Sequence, residues 1–139
     1  MAVKLLEVPV HKARILLCNS RADALKIVKG HLYKDEQEVQ DSLQMMKKAC
    51  ASSFESDGRV DWLLLFSRRR PQDVAHEAVH TGVMVLSDLG IAVTPETDEA
   101  LAYLVDHIVE AFFKKEGWGK LEDFLLSEVP KPKRKQKRG

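Results

Sequence analysis

The stretch Pro71-Gln72-Asp73-Val74-Ala75-His76-Glu77-Ala78-Val79-His80-Thr81-Gly82-Val83-Met84-Val85-Leu86-Ser87-Asp88-Leu89-Gly90 decides the fold. Proline is tolerated in the first turn of a helix, and glycine is a common residue just past its end. The segment therefore reads as a helix from Gln72 to Leu89, opened by Pro71 and stopped at Gly90. Val74, Ala75, Ala78, Val79, Val83, Met84, Val85, Leu86 and Leu89 place apolar groups almost all round it. A helix of that composition is expected to be buried on most faces. On that expectation His76, Glu77 and His80 lie in or beside the interior.

Immediately upstream, Val60-Asp61-Trp62-Leu63-Leu64-Leu65-Phe66 is a nearly apolar run ended by Arg68-Arg69-Arg70. Ser56-Asp57-Gly58 separates it from the extended stretch Ala51–Glu55, and Asp-Gly between two such runs predicts a hairpin. Residues 34–49 read as an exposed helix with a stripe at Val39, Leu43, Met46 and Ala49. Ser20-Arg21-Ala22-Asp23 has the form of a helix cap, followed by Ala24, Leu25, Ile27 and Val28, with Gly30 as a stop. Residues 11–18 and 3–8 suit strands, with Pro9 interrupting the connection.

Downstream, Ile91-Ala92-Val93-Thr94-Pro95 is a short extended link. Thr97 or Asp98 caps the next helix, which runs to about Lys115. Leu101, Leu104, Val105, Ile108 and Phe112 form its core stripe, and Glu99, Tyr103, Asp106 and Glu110 another face. Residues 118–126 read as a last short helix.

The chain of 139 residues is the size of one domain, with 45% hydrophobic and 31% charged residues. No apolar run is long enough to span a bilayer, and Glu7 and Pro9 interrupt any signal-peptide stretch. The expectation is a cytoplasmic protein with no membrane partner. The net charge of +1 hides an asymmetry. Lys131, Lys133, Arg134, Lys135, Lys137 and Arg138 lie in the tail, leaving 16 basic against 21 acidic residues, a net of −5, in the body. Residues 1–129 are expected to form one domain and 130–139 a disordered basic tail. Such a tail can bind nucleic acid without sequence choice, can bind an acidic protein, or can simply be solvated. Cys18 and Cys50 read as buried small hydrophobes, with ligand or nucleophile roles left open. Trp62 and Trp118 read as core, and Arg68, Arg69 and Arg70 as a solvated strand end.

His76 and His80, four residues apart, point the same way from a helix, so their imidazoles can converge on one ion. Glu77 sits at the edge of that face, where a carboxylate can act as general base on a metal-bound water. Zinc is the expected ion, and a catalytic zinc needs a third protein ligand and an open position. Glu99, 19 residues after His80, is the leading candidate. Asp88, Asp106 and His107 are weaker ones. The plain alternatives are hydrogen-bonded histidines beside a core and, for Glu99, a first-turn carboxylate complementing the helix dipole.

His76-Glu77-x-x-His80 followed by Glu99 resembles the gluzincin type of zincin metallopeptidases. The resemblance covers residues 59–112. It implies His76, His80 and Glu99 as zinc ligands and Glu77 as catalytic base. The family often carries an aspartate four residues after the ligand glutamate. Tyr103 stands there instead, leaving Asp106 as the candidate to support a ligand histidine and Tyr103 as an oxyanion stabiliser. The phrase Asp98-Glu99-Ala100-Leu101-Ala102-Tyr103-Leu104 also resembles small zincin-like proteins of phages and prophages.

The expected fold is α+β: a small mixed or antiparallel sheet of three to four strands, packed against the His-Glu-x-x-His helix and a second, glutamate-bearing helix. The expected function is a zinc-dependent peptidase acting on a peptide or protein. The other reading is a non-catalytic zincin-like interaction protein with a structural or vestigial metal site and a partner-binding tail.

Overall fold

A computed structural model of the protein describes residues 2–8, 13–31, 49–56 and 59–123, apart from the side chains of residues 29–31, 52, 54–56 and 59–62. The chain runs β1 (Val3–Val8), β2 (Ala13–Cys18), α1 (Arg21–His31), β3 (Ala49–Ser56), β4 (Arg59–Ser67), α2 (Pro71–Asp88) and α3 (Asp98–Phe113). The architecture is α+β with a mixed four-stranded sheet of order β1-β2-β4-β3. β1 is antiparallel to β2, β2 parallel to β4, and β3 antiparallel to β4.

The central strands β2 and β4 are near-continuous apolar runs because helices cover both their faces. Strand side chains alternate between faces. Leu16, Cys18, Leu64, Phe66 and Cys50 face Ala24, Ile27 and Val28 of α1. Ile15, Leu17, Leu63 and Leu65 face Val74, Ala78, Val85 and Leu86 of α2 and Leu104, Ile108 and Phe112 of α3. Ser20 caps α1 as its sequence pattern predicts, its hydroxyl accepting the Asp23 N–H at 3.3 Å.

α2 ends at Asp88, and Gly90 follows at φ +76°, a backbone conformation that glycine adopts without steric cost. The link to α3 is held by Thr97, whose hydroxyl accepts the Thr94 N–H at 2.8 Å and donates to the Ala92 carbonyl. Thr97 stands at the N-cap position of α3 but makes no side-chain cap bond to that helix. Its oxygen is already engaged with the link.

After α3 the chain crosses the β1 edge. Gly119 N donates to Val3 O at 2.7 Å, and Leu121 is buried on the α1 side of the sheet. Lys4 is buried on the opposite side. Its ammonium donates to Ala111 O at 2.7 Å and Lys114 O at 3.2 Å, satisfying carbonyls at the end of α3. Burial holds the Lys4 ammonium below its ordinary pKa, helped by nearby Lys114 and opposed by Glu116. Arg69, in the turn before α2, has φ +68° and lays its guanidinium over Phe113 at 5.9 Å and Trp118 at 5.8 Å.

Two expectations are corrected. α2 is not buried on most faces: Val79 is 42% and Val83 39% exposed, and His76 and His80 are exposed. The neighbours cover one broad side of the helix, and apolar composition alone does not say which side. Ala49 begins β3 rather than ending a helix, because it pairs with Ser67 of β4. The rest of the proposed helix at 34–48 lies outside the described residues, as do the Asp57-Gly58 turn and residues 130–139. Of the short helix expected at 118–126, residues 121–123 are helical and 124–126 lie outside the description. Among the described residues, no helix is long and apolar enough to cross a membrane.

Candidate functional site

α2 is positioned at its start by Pro71 in the first turn and by Arg70 in an extended conformation. The Arg70 guanidinium lies 3.5 Å from the Asp73 carboxylate. From there the helix lays one side over the sheet and turns another toward β3. On the β3 side His76 and His80 stack edge to face, with ring centroids 4.8 Å apart and planes at 68°. Their Nε2 atoms face each other at 3.1 Å. One proton can be shared across that contact, but two N–H groups there would repel.

Two ligands of one tetrahedral ion, each bound at about 2.0–2.1 Å, stand roughly 3.3 Å apart. The imidazole pair therefore fits the requirement for two donors to a single metal.

Glu77 is half-buried beside the pair. Burial pushes its carboxyl above the ordinary range, and Asp73, one turn earlier, pushes the same way; His76 and His80 oppose the shift. A carboxyl displaced upward holds and releases a proton closer to neutrality, as a general base requires. Its own backbone is fixed, since Thr81 Oγ1 donates to Glu77 O at 2.8 Å.

His76, Glu77 and His80 open on a cleft of about 470 Å³ between α2 and β3, lined further by Ala49, Cys50, Ala51, Val83 and Met84. The alternation of β3 explains the space. Cys50 belongs to the core on the α1 side, so Ala49 and Ala51 face α2. Two methyl groups cover little of the gap. The Cys50 thiol points away from the histidines, which removes it as their partner. Burial likewise raises Cys18 to about 12, leaving it a protonated core thiol.

The other sequence candidates stand apart. Glu99, Tyr103, Asp106 and His107 are exposed on α3, Tyr103 at 68%, and none of them lines the cleft. Asp88 is exposed at the far end of α2. Among the described residues, no three His, Cys, Asp or Glu side chains gather closely enough to hold a metal ion. The reason is the side of α2 on which α3 packs. A Cβ placed on Gly82 would meet Leu101 Cδ1 at 2.8 Å, Leu104 Cβ at 3.6 Å and Val105 Cγ2 at 3.9 Å. Gly82 follows His80 by two residues, a rotation of about 200° round the helix. α3 thus lies behind α2 as seen from the histidines, and its first turn carries Glu99 there with it.

Arg68, Arg69 and Arg70 are exposed, and Trp118 is half-buried with its indole N–H donating to Lys114 O at 2.9 Å. The Trp62 side chain and Lys131, Lys133, Arg134, Lys135, Lys137 and Arg138 lie outside the described residues. Sequence reasoning did not single out Ala49, Ala51, Val83 or Met84. The available signal was the pair of alanines two apart in a strand, together with Val83 and Met84 seven residues after His76 and Glu77 on the same helical stripe.

No protein-family model matches the chain, and neither a curated protein nor a solved structure matches it.

Proposed function

We propose that the cleft between α2 and β3 is a hydrolytic metal site, with His76 and His80 as ligands, Glu77 as general base and a peptide as substrate. The observation that carries this reading is the pair of Nε2 atoms 3.1 Å apart on the wall of an open cleft, with the half-buried Glu77 carboxyl beside them. His76 and His80 would hold the zinc ion, which would supply Lewis acidity toward a carbonyl and make an attacking water more acidic. Glu77 takes the proton of the attacking water and returns it to the leaving amine. β3 favours a peptide substrate, because among the described residues it is an edge of the sheet and an edge strand can present its backbone to an extended chain. The zincin-like reading rests on this arrangement together with the sequence resemblance. The role of Glu99 as third ligand rests on the resemblance alone.

The position of Glu99 favours a second reading, a non-catalytic zincin-like interaction protein of phage type whose metal site is structural or vestigial. Metal analysis of protein purified without chelator separates the two. About one zinc per chain, lost in His76→Ala, with peptide cleavage lost in Glu77→Gln, is expected for the enzyme. Failure to take up added zinc would sink the hydrolytic reading. Zinc retained without any cleavage would favour the interaction protein.

A further inference from the structure

Without the six basic residues of the tail the chain carries 16 basic against 21 acidic residues, yet one end of the sheet gathers cations. β2 and β4 run parallel and end together, Cys18 pairing with Phe66. Arg68, Arg69 and Arg70 follow β4, and Arg21 opens α1 just after β2. β1 is antiparallel to β2, so its first residues lie at this same end, Val3 pairing with Cys18. The Lys4 ammonium reaches the Lys114 carbonyl, which brings Lys114 and Lys115 there as well. All six of these arginines and lysines are exposed. Asp23, Asp73 and Glu116 stand in the same turns, but Asp23 and Asp73 are half-buried, and Asp73 is 3.5 Å from Arg70. Positive charge therefore dominates what this end shows to water.

We infer that this end of the sheet is a nucleic-acid interface, where the arginines after β4 and the lysines after α3 hold the phosphodiester backbone without reading its sequence. The inference is independent of the hydrolytic reading, since none of these residues lines the α2–β3 cleft.

The fold supplies the shape. α1 leaves β2 on one face of the sheet and α2 leaves β4 on the other. Open α/β sheets bind ligands outside the carboxyl ends of their strands, where the chain diverges in this way. Both helices begin there, so the positive ends of their dipoles add to the side-chain charge. Arg69 is held over the rings of Phe113 and Trp118 at 5.9 and 5.8 Å, so its ordering cost is met before a ligand arrives. A guanidinium presents paired N–H donors that match two oxygens of one phosphate. A lipid surface fits less well. The large hydrophobic side chains exposed among the described residues are Val79, Val83, Leu89, Val93 and Tyr103, and none stands in these turns to enter the acyl layer.

The test is fluorescence anisotropy of the full chain on a labelled DNA duplex of random sequence, titrated across a range of salt. Arg68→Glu and Lys115→Glu are each expected to weaken binding by about 3–10-fold and to lower the slope of log affinity against log salt by about 1. Arg14→Glu makes the same change of charge at the opposite end of the sheet and should leave affinity within about 2-fold. Deleting residues 130–139 should weaken binding, and the binding that remains should be lost in Arg68→Glu. Circular dichroism melting confirms that each variant is folded, and Arg68→Gln replaces any that is not. No binding at low salt overturns the inference. So does an equal loss in Arg14→Glu, which would make net charge the cause. Binding that depends on the tail alone, or that prefers anionic lipid vesicles to the duplex, overturns it too.

Discussion

The two sides of α2 meet their neighbours in opposite ways. Behind the helix, Gly82 lets α3 approach until Leu101, Leu104 and Val105 fill the space a side chain would take. In front, Ala49 and Ala51 leave a cleft of about 470 Å³. Small residues serve both purposes. On a helix facing another helix, a missing side chain brings backbones together. On a strand facing a helix whose spacing is already set by the core, small side chains leave a void. The tight side fixes α2, and the open side is where chemistry has room.

The comparison breaks first at the histidines. His80→Ala is expected to abolish stoichiometric metal uptake, from about one ion per chain to none, because one imidazole does not hold zinc alone. Inductively coupled plasma analysis after desalting checks it; retained metal would show that the open side is not the site. Glu77→Gln is expected to keep the metal and lower kcat by about 10²–10⁴.

The tight side comes next. Gly82→Val places branched atoms against Leu101 and Leu104 and should cost about 1–3 kcal/mol in urea denaturation. Gly82→Ala should be milder, since the closest atom is the end of a flexible leucine and alanine is the better helix former. If the two variants behave alike, the close approach is not what holds α3. Lys4→Met strips the α3 carbonyls of their buried donor, and about 1–3 kcal/mol is the expected loss.

The smallest effect sharpens the open side. The Glu77 carboxyl is raised in the folded protein, so folding favours its protonated form. Its contribution is therefore fully favourable below the unfolded pKa and is lost as pH rises through the folded one. Metal-free Glu77→Gln should melt slightly above the wild type at neutral pH, with the gap closing in acid. A constant gap across the titration would refute the burial effect.

Much of this geometry is legible in the sequence where one residue type has one strong use. Pro71 and Gly90 bracket α2, Ser20 caps α1, and the run from Leu63 to Phe66 is a fully buried strand. Adjacency of His76 and His80 follows from a spacing of four. What composition does not encode is the direction of neighbours. Val79 and Val83 look like core residues but face solvent, because nothing among the described residues packs there. The short link between helices predicts that α3 lies beside α2, but not on which side. Gly82 holds that information, and it is readable only once Leu101 is seen against it. Chain distance and the resemblance single out Glu99, whereas the rotation of the helix decides where it stands.

The parallel pairing of β2 with β4 bears on how the chain acquires its shape. Cys18 meets Phe66 across 48 positions of sequence, while β3 and β4 are neighbours in sequence, Ser56 pairing with Arg59. Closing the longer loop costs more chain entropy before any contact returns it. β3, β4, α2 and α3 thus form a contiguous block whose contacts are mostly local, and β1 and β2 must find it from a distance. The cleft lies wholly inside that block. Substitutions in β2 are expected to slow folding only weakly and mainly to speed unfolding, which stopped-flow refolding checks; a large loss of folding rate would show that β2 joins the block early.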